Sequence, residues 1–196
     1  MTKTNIIASS IMAAILGITV QTQAATYNLD PSHTTIGFSV RHMVVANVKG
    51  QFATFNGTIN YDPAAPETTS ASAIIQVNSV DTANADRDAH LLKEDFFDAE
   101  KHPEITFETT SVQGTAPNLT LIGNLTMKGV TREVRLPVEL NGPITDPWGN
   151  ERIGISGTAE VNRQDFGISF SKTLDNGGLV VGDIVKLIIE AEGIKQ

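Results

Sequence analysis

Apolar and polar residues alternate with a period of two along most of this chain. Ile36, Phe38 and Val40 alternate with Gly37, Ser39 and Arg41, and Phe55, Gly57, Ile59 and Tyr61 alternate with Thr54, Asn56, Thr58 and Asn60. Ala71, Ala73, Ile75 and Val77 make a third run, and Ile105 and Phe107 stand between Glu104, Thr106 and Glu108. The pattern continues through Leu119–Leu125, Val134–Leu140, Ile153–Val161 and Val185–Ala191. Successive side chains of a strand point to opposite faces, so each run predicts a strand with one apolar face. Turn chemistry separates them at Asp62-Pro63, at Lys128-Gly129, across Asp146 to Asn150, and at Asn176-Gly177-Gly178.

About eight one-sided strands with almost no helix leave a sandwich or a closed barrel. Glycine falls inside the strand pattern at positions 37, 57, 123, 154 and 157, where it marks a bend or bulge. The short turns pair neighbours in sequence. Both features favour an antiparallel eight-stranded β-barrel in an all-β chain, and such a barrel has room for one small ligand.

Two segments break the alternation. Ser79 to Leu92 places Asp86, Arg87, His90 and Leu91 at helical spacing, with Thr82 as a candidate cap for a helix from about Ala83. A short helix there, followed by Phe96 and Phe97, is expected to sit at one mouth of the barrel. His42 to Lys49, with Met43, Val44, Val45 and Val48, reads as an irregular stretch flanking the same opening.

Composition narrows the function. The 196 residues hold no cysteine, which excludes disulfides, thiolate metal sites and cysteine nucleophiles. The net charge is −8, and no Lys/Arg cluster appears, so nucleic acid is a poor partner. Lys3, the uncharged run Ile6–Val20 and the small residues at Thr22-Gln23-Ala24 follow the order of a signal peptide. Cleavage is expected after Ala24, which leaves residues 25–196 as one exported, periplasmic domain without stable membrane insertion.

No nucleophile elbow or glycine-rich phosphate loop is present, and the expectation is a protein without catalytic activity or cofactor. Asp86 and His90, four apart on the candidate helix, with His33 or His42, have the ligand types for a divalent metal; the same pair also reads as ordinary helix-surface polarity. The inward faces instead suggest a lumen. Ala71, Ala73, Ala159 and Ala191 are small for a filled barrel, and an apolar hollow takes an apolar guest. The expected lumen residues are Phe38, Phe55, Ile59, Ile75, Phe107, Leu121, Leu136, Ile155 and Leu187. His33, Arg87, His90, Leu91 and Phe96 are expected at the mouth, near a ligand's polar end.

Several stretches resemble the YceI family. They include Tyr27-Asn28-Leu29-Asp30-Pro31-Ser32-His33-Thr34, Ser79-Val80-Asp81-Thr82, Asp86-Arg87-Asp88 and His90-Leu91. Asp95-Phe96-Phe97, His102-Pro103-Glu104-Ile105-Thr106-Phe107, Asn162 to Gly167 and Val181-Gly182-Asp183 continue the likeness in order. Tyr27 stands where tryptophan is common in that family. The resemblance implies an extended lipocalin-like barrel that holds a long apolar chain, such as a polyisoprenoid, an isoprenoid quinone or a fatty-acyl amide. It also implies a carrier, scavenger or store, with a homodimer in some members. The alternative is an accessory protein or enzyme acting on an isoprenoid quinone, with a metal at the barrel mouth.

Overall fold

A computed structural model describes residues 24–175 and 177–196; the expected signal peptide lies outside the described residues, apart from Ala24. The elements are β1 (Ala25–Leu29), β2 (Thr35–His42), β3 (Ala46–Phe52), β4 (Phe55–Tyr61), β5 (Ser70–Gln76) and β6 (Val80–Asp81). They continue with α1 (Ala85–Leu91), β7 (Glu104–Thr115), β8 (Asn118–Met127), β9 (Val130–Thr145), β10 (Glu151–Asn162) and β11 (Val181–Lys195).

The ring runs β1-β4-β5-β7-β8-β9-β10-β11 and closes where β1 pairs with β11, Tyr27 opposite Lys195 and Leu29 opposite Gly193. This is the expected closed antiparallel barrel of eight strands. Its length comes from strands that share a position around the ring. β1 and β2 lie end to end along one edge of β11, β1 at residues 193–195 and β2 at residues 181–190. β3 pairs with β2 and runs on into β4 across Ala53-Thr54, and β6 adds a short pairing to β3. Closure leaves few unpaired edges, the usual liability of a sheet.

The apolar set forms two clusters along the barrel. One gathers Ile36, Phe52, Val77, Phe96 and Phe166 at the α1 end. The other gathers Tyr27, Tyr61, Leu121, Leu140 and Ile153 at the far end. Phe107 packs against both. Gly123, inside β8, is needed here: a Cβ would lie 2.5 Å from the Glu108 carbonyl oxygen and 2.7 Å from the Phe107 ring. The β7–β8 register slips between Thr109 and Ser111 close by, so the sheet coils tightly at this corner.

Two local expectations are corrected. The helix does not begin at Ala83 under a Thr82 cap. Ala83 has φ 59°, outside the helical region, and the cap is Asn84, whose side chain accepts from the Arg87 N–H at 2.9 Å. Nor is His42–Lys49 irregular: β2 and β3 form a regular hairpin, with His42 opposite Ala46 and Val40 opposite Val48. Its turn residues Met43 and Val44 have positive φ yet carry bulky apolar side chains, so no glycine or asparagine marks the turn.

Candidate functional site: an apolar lumen

The inward faces of all eight ring strands and of β2 converge on a cavity of about 130 Å³ in the barrel. Its wall presents only apolar surface to the space. Ile59, Ile75, Phe107, Leu121, Leu136, Ile155 and Leu187 line it as expected from sequence. The hollow exists because Ala71, Ala73, Ala159 and Ala191 occupy inward positions where larger residues would fill it. A second cavity of about 90 Å³ lies toward α1, lined by Phe38, Phe52, Leu91, Phe96, Phe97 and others. Leu187 borders both, so the two are neighbours along the barrel axis. Phe55 borders neither and packs on the α1-end cluster instead.

Sequence reasoning passed over Leu125 and Ile189, which also line the larger cavity, although the alternation of β8 and β11 contains both. It also passed over Arg163, which is 3% exposed and lines the smaller cavity. Arg163 donates Nη1–H to the Ile168 carbonyl at 2.6 Å, Nε–H to Gly182 O at 3.0 Å, and Nη2–H to Asp183 Oδ1 at 2.8 Å. Burial pulls its pKa down, opposed by the Asp183 carboxylate. Its donors are committed to the chain itself, so it braces the barrel end. Nothing in residue spacing distinguishes it from a surface arginine.

The five expected mouth residues do not meet at one opening. Leu91 and Phe96 line the smaller cavity, and His90 packs edge-on against Phe96 and Phe170. His90 pairs through Nε2 with Asp95 at 2.8 Å, and not with Asp86. Arg87 turns inward on its own segment. It donates Nε–H to Thr82 Oγ1 and Nη2–H to the Thr82 carbonyl, each at 2.7 Å. Asp88 accepts from the Thr82 N–H and hydroxyl, so α1 is tied to the strand before it.

His33 lies beside Glu192 of β11, whereas the α1-end cavity reaches Val181 of the same strand. At about 3.3 Å per residue these are on the order of 35 Å apart. The expected grouping of His33 with Arg87 and His90 is therefore corrected: a helix contact and a loop contact of unlike position were joined by chemistry alone.

The far end carries a charge network. Arg152 donates to Asp146 Oδ2 at 2.7 Å, to Asp30 Oδ2 at 2.8 Å and to Glu192 Oε2 at 3.0 Å. The guanidinium, then His33, holds the Asp30 carboxyl down to about 2, and Asp146 is also held well below the usual carboxylate range. Asp30, His33 and Glu192 place one ligand atom each within 4.8 Å of one another. The cationic position among those carboxylates is already filled by Arg152, which makes this a closed ion-pair network. At the same end the Tyr27 hydroxyl donates to Glu151 at 2.6 Å, and burial pushes its phenol pKa up.

Comparison with known proteins agrees with this architecture. The YceI-like domain profile matches residues 27–193. The protein YceI of Salmonella newport is 36% identical over 187 residues, covering 94% of this chain and 95% of its own. A YceI protein of Campylobacter jejuni, known as a crystal structure, superposes with a TM-score of 0.69 at 32% identity, covering 80% of this chain and 90% of that one. A polyisoprenoid binding domain from Saccharophagus degradans, implicated in plant cell wall breakdown, shares the fold with a TM-score of 0.61 at 16% identity. That likeness covers 89% of this chain and 100% of the other.

Proposed function

The chain belongs to the YceI family, and from that premise we propose that it is an exported binding protein that holds a long apolar chain inside its barrel. The observation that carries this reading is the pair of neighbouring cavities, about 130 and 90 Å³, both bordered by Leu187 and both presenting only apolar surface. The guest is a polyisoprenoid, an isoprenoid quinone or a fatty-acyl amide; the solved polyisoprenoid binding domain of the same fold supports the first. Each buried methylene contributes about 0.8 kcal/mol, so affinity grows with chain length and discriminates little between chains.

The protein binds and does not catalyse, in this reading. The polar residues that line the cavities, Arg163, Thr34, Thr58 and Ser72, spend their hydrogen bonds on the chain itself: Arg163 on the Ile168 carbonyl, Thr34 on the Glu192 carbonyl, and Thr58 and Ser72 on each other. Export follows from the leader-like order of residues 1–24 and places the protein in the periplasm as carrier, scavenger or store of insoluble lipid.

The test is native mass spectrometry of protein purified from cells expressing the whole chain, followed by organic extraction. A copurifying long-chain apolar molecule, or uptake of polyprenyl and acyl probes, is expected. A protein that arrives empty and takes up neither probe overturns the reading.

A further inference from the structure

Exposed large apolar side chains gather on two hairpins among the described residues: Ile144 and Trp148 at the far end, and the β2–β3 hairpin at the end nearer the smaller cavity. Met43, Val44 and Val45, at the β2–β3 turn, are 42%, 53% and 79% exposed. Ile184, on the adjoining stretch of β11, is 51% exposed. The turn is held in a specific shape. Met43 has φ 50° and Val44 φ 64°, a left-handed backbone that a β-branched residue rarely adopts. The Arg41 guanidinium grips the Val44 carbonyl oxygen at 3.1 and 2.7 Å, and the Met43 N–H donates to Val180 O at 2.9 Å. The chain thus presents three apolar side chains to solvent at this turn, two of them, Met43 and Val44, on a disfavoured backbone. Strain of this kind persists only where the surrounding structure holds it, and it clusters at functional sites.

The surroundings are cationic in a chain of net charge −8. Lys186 of β11 and Lys49 of β3 are both register partners of Ser39 on β2, so all three side chains share one outer face. Arg41, two residues on along β2, shares that face. Of the carboxylates in this region, Glu160 of β10 is the register partner of Lys186 and offsets part of its charge, Asp183 is paired with Arg163, and Asp175 lies exposed in the segment before β11, so Lys49 and Arg41 carry most of the positive charge beside the tip. Val40, which leads into the hairpin, and Val181 of β11, opposite His42, line the smaller cavity. The tip therefore stands beside the lumen.

We propose that the Met43–Val45 tip, with Arg41, Lys49 and Lys186, docks this end of the barrel on an anionic lipid bilayer surface. A convex turn of three apolar residues offers far less than the roughly 800 Å² per partner of a standard protein interface. A bilayer needs no shape complementarity: apolar side chains enter the interfacial layer, and nearby ammonium and guanidinium groups meet acidic head groups. Docking by this end sets the smaller cavity against the source of an insoluble chain.

The experiment uses protein purified from its expressing cells, with the N-terminus determined by mass spectrometry so that all variants share it. Sedimentation is measured with vesicles of phosphatidylethanolamine and phosphatidylglycerol, and with phosphatidylcholine vesicles, at low and high salt. Wild type is expected on the anionic vesicles, more weakly at high salt, and hardly on phosphatidylcholine. Val44→Asn/Val45→Asn and Lys49→Glu/Lys186→Glu are each expected to lower partitioning at least about tenfold. Asparagine tolerates positive φ, so the tip variant should melt no lower than wild type. Absence of wild-type binding, or equal binding by wild type and both variants, overturns the proposal. Loss of a dimer in the tip variant, without vesicle binding by wild type, assigns the tip to a second copy and also overturns it. The readout does not depend on what fills the lumen, so its failure is distinct from failure of ligand uptake.

Discussion

Ala159 of β10 and Leu187 of β11 are register partners across the barrel wall, and both line the larger cavity. The alanine leaves open the space that Leu187 then shares between the two hollows. Ala159→Phe should fill that space. An added ring in a solid core costs typically 1–3 kcal/mol, but a cavity absorbs it. The expected result is a change in melting of less than about 4 °C, with uptake of a polyprenyl probe reduced at least about tenfold. Strong destabilisation with unchanged uptake would show that the hollow is not the binding site.

Arg87 should behave as a brace. Its donors go to Thr82, so Arg87→Met removes charge-assisted hydrogen bonds that tie α1 down, costing about 1–2 kcal/mol. Binding of a polyprenyl alcohol and of its phosphate should weaken equally. A selective loss of the phosphate, measured by paired titrations, would assign Arg87 to the head group after all.

Arg163→Met should be more damaging. It leaves the carbonyls of Ile168 and Gly182 without their donor, in a region where water enters poorly. The expected loss is about 3 kcal/mol in denaturant unfolding, and Arg163→Lys should recover little, because an ammonium cannot reproduce the guanidinium fork. Stability close to wild type in both variants would remove Arg163 from the barrel's framework.

Acid should loosen the far end through Arg152. Asp30 is held at about 2 in the folded chain, below its ordinary 3.8, and Asp146 is shifted in the same direction. The unfolded chain therefore binds more protons in that range, so this stabilisation is complete above about pH 4 and disappears as the pH falls toward about 2. Arg152→Leu should lower melting at neutral pH and flatten the decline between about pH 4 and about pH 2. Parallel wild-type and variant curves across that window would show that the network does not couple to folding.

Much of the barrel was legible in the chain because a strand's side-chain period is local. The alternation through Phe55–Tyr61, Leu119–Leu125 and Val185–Ala191 marks strands and their inward faces without knowledge of any partner. The small inward alanines likewise signalled a hollow, and Ala71, Ala73, Ala159 and Ala191 all border it. β1 was less visible: its five residues are too short for the alternation to rise above chance, yet Tyr27 is 1% exposed.

What the sequence determined by itself was the set of strands, their apolar faces and the likeness to one family. Only the tertiary structure decided which polar residues stand together, because hydrogen bonds between distant segments leave no period in the chain. His33 went to Asp30 and the far end, His90 to Asp95, Arg87 to Thr82, and the buried cation beside the cavity proved to be Arg163. The Met43–Val44 turn was decided there too. Its left-handed backbone is imposed by the register of β2 on β3 and by Arg41's grip on Val44, against the preference of the residues that occupy it.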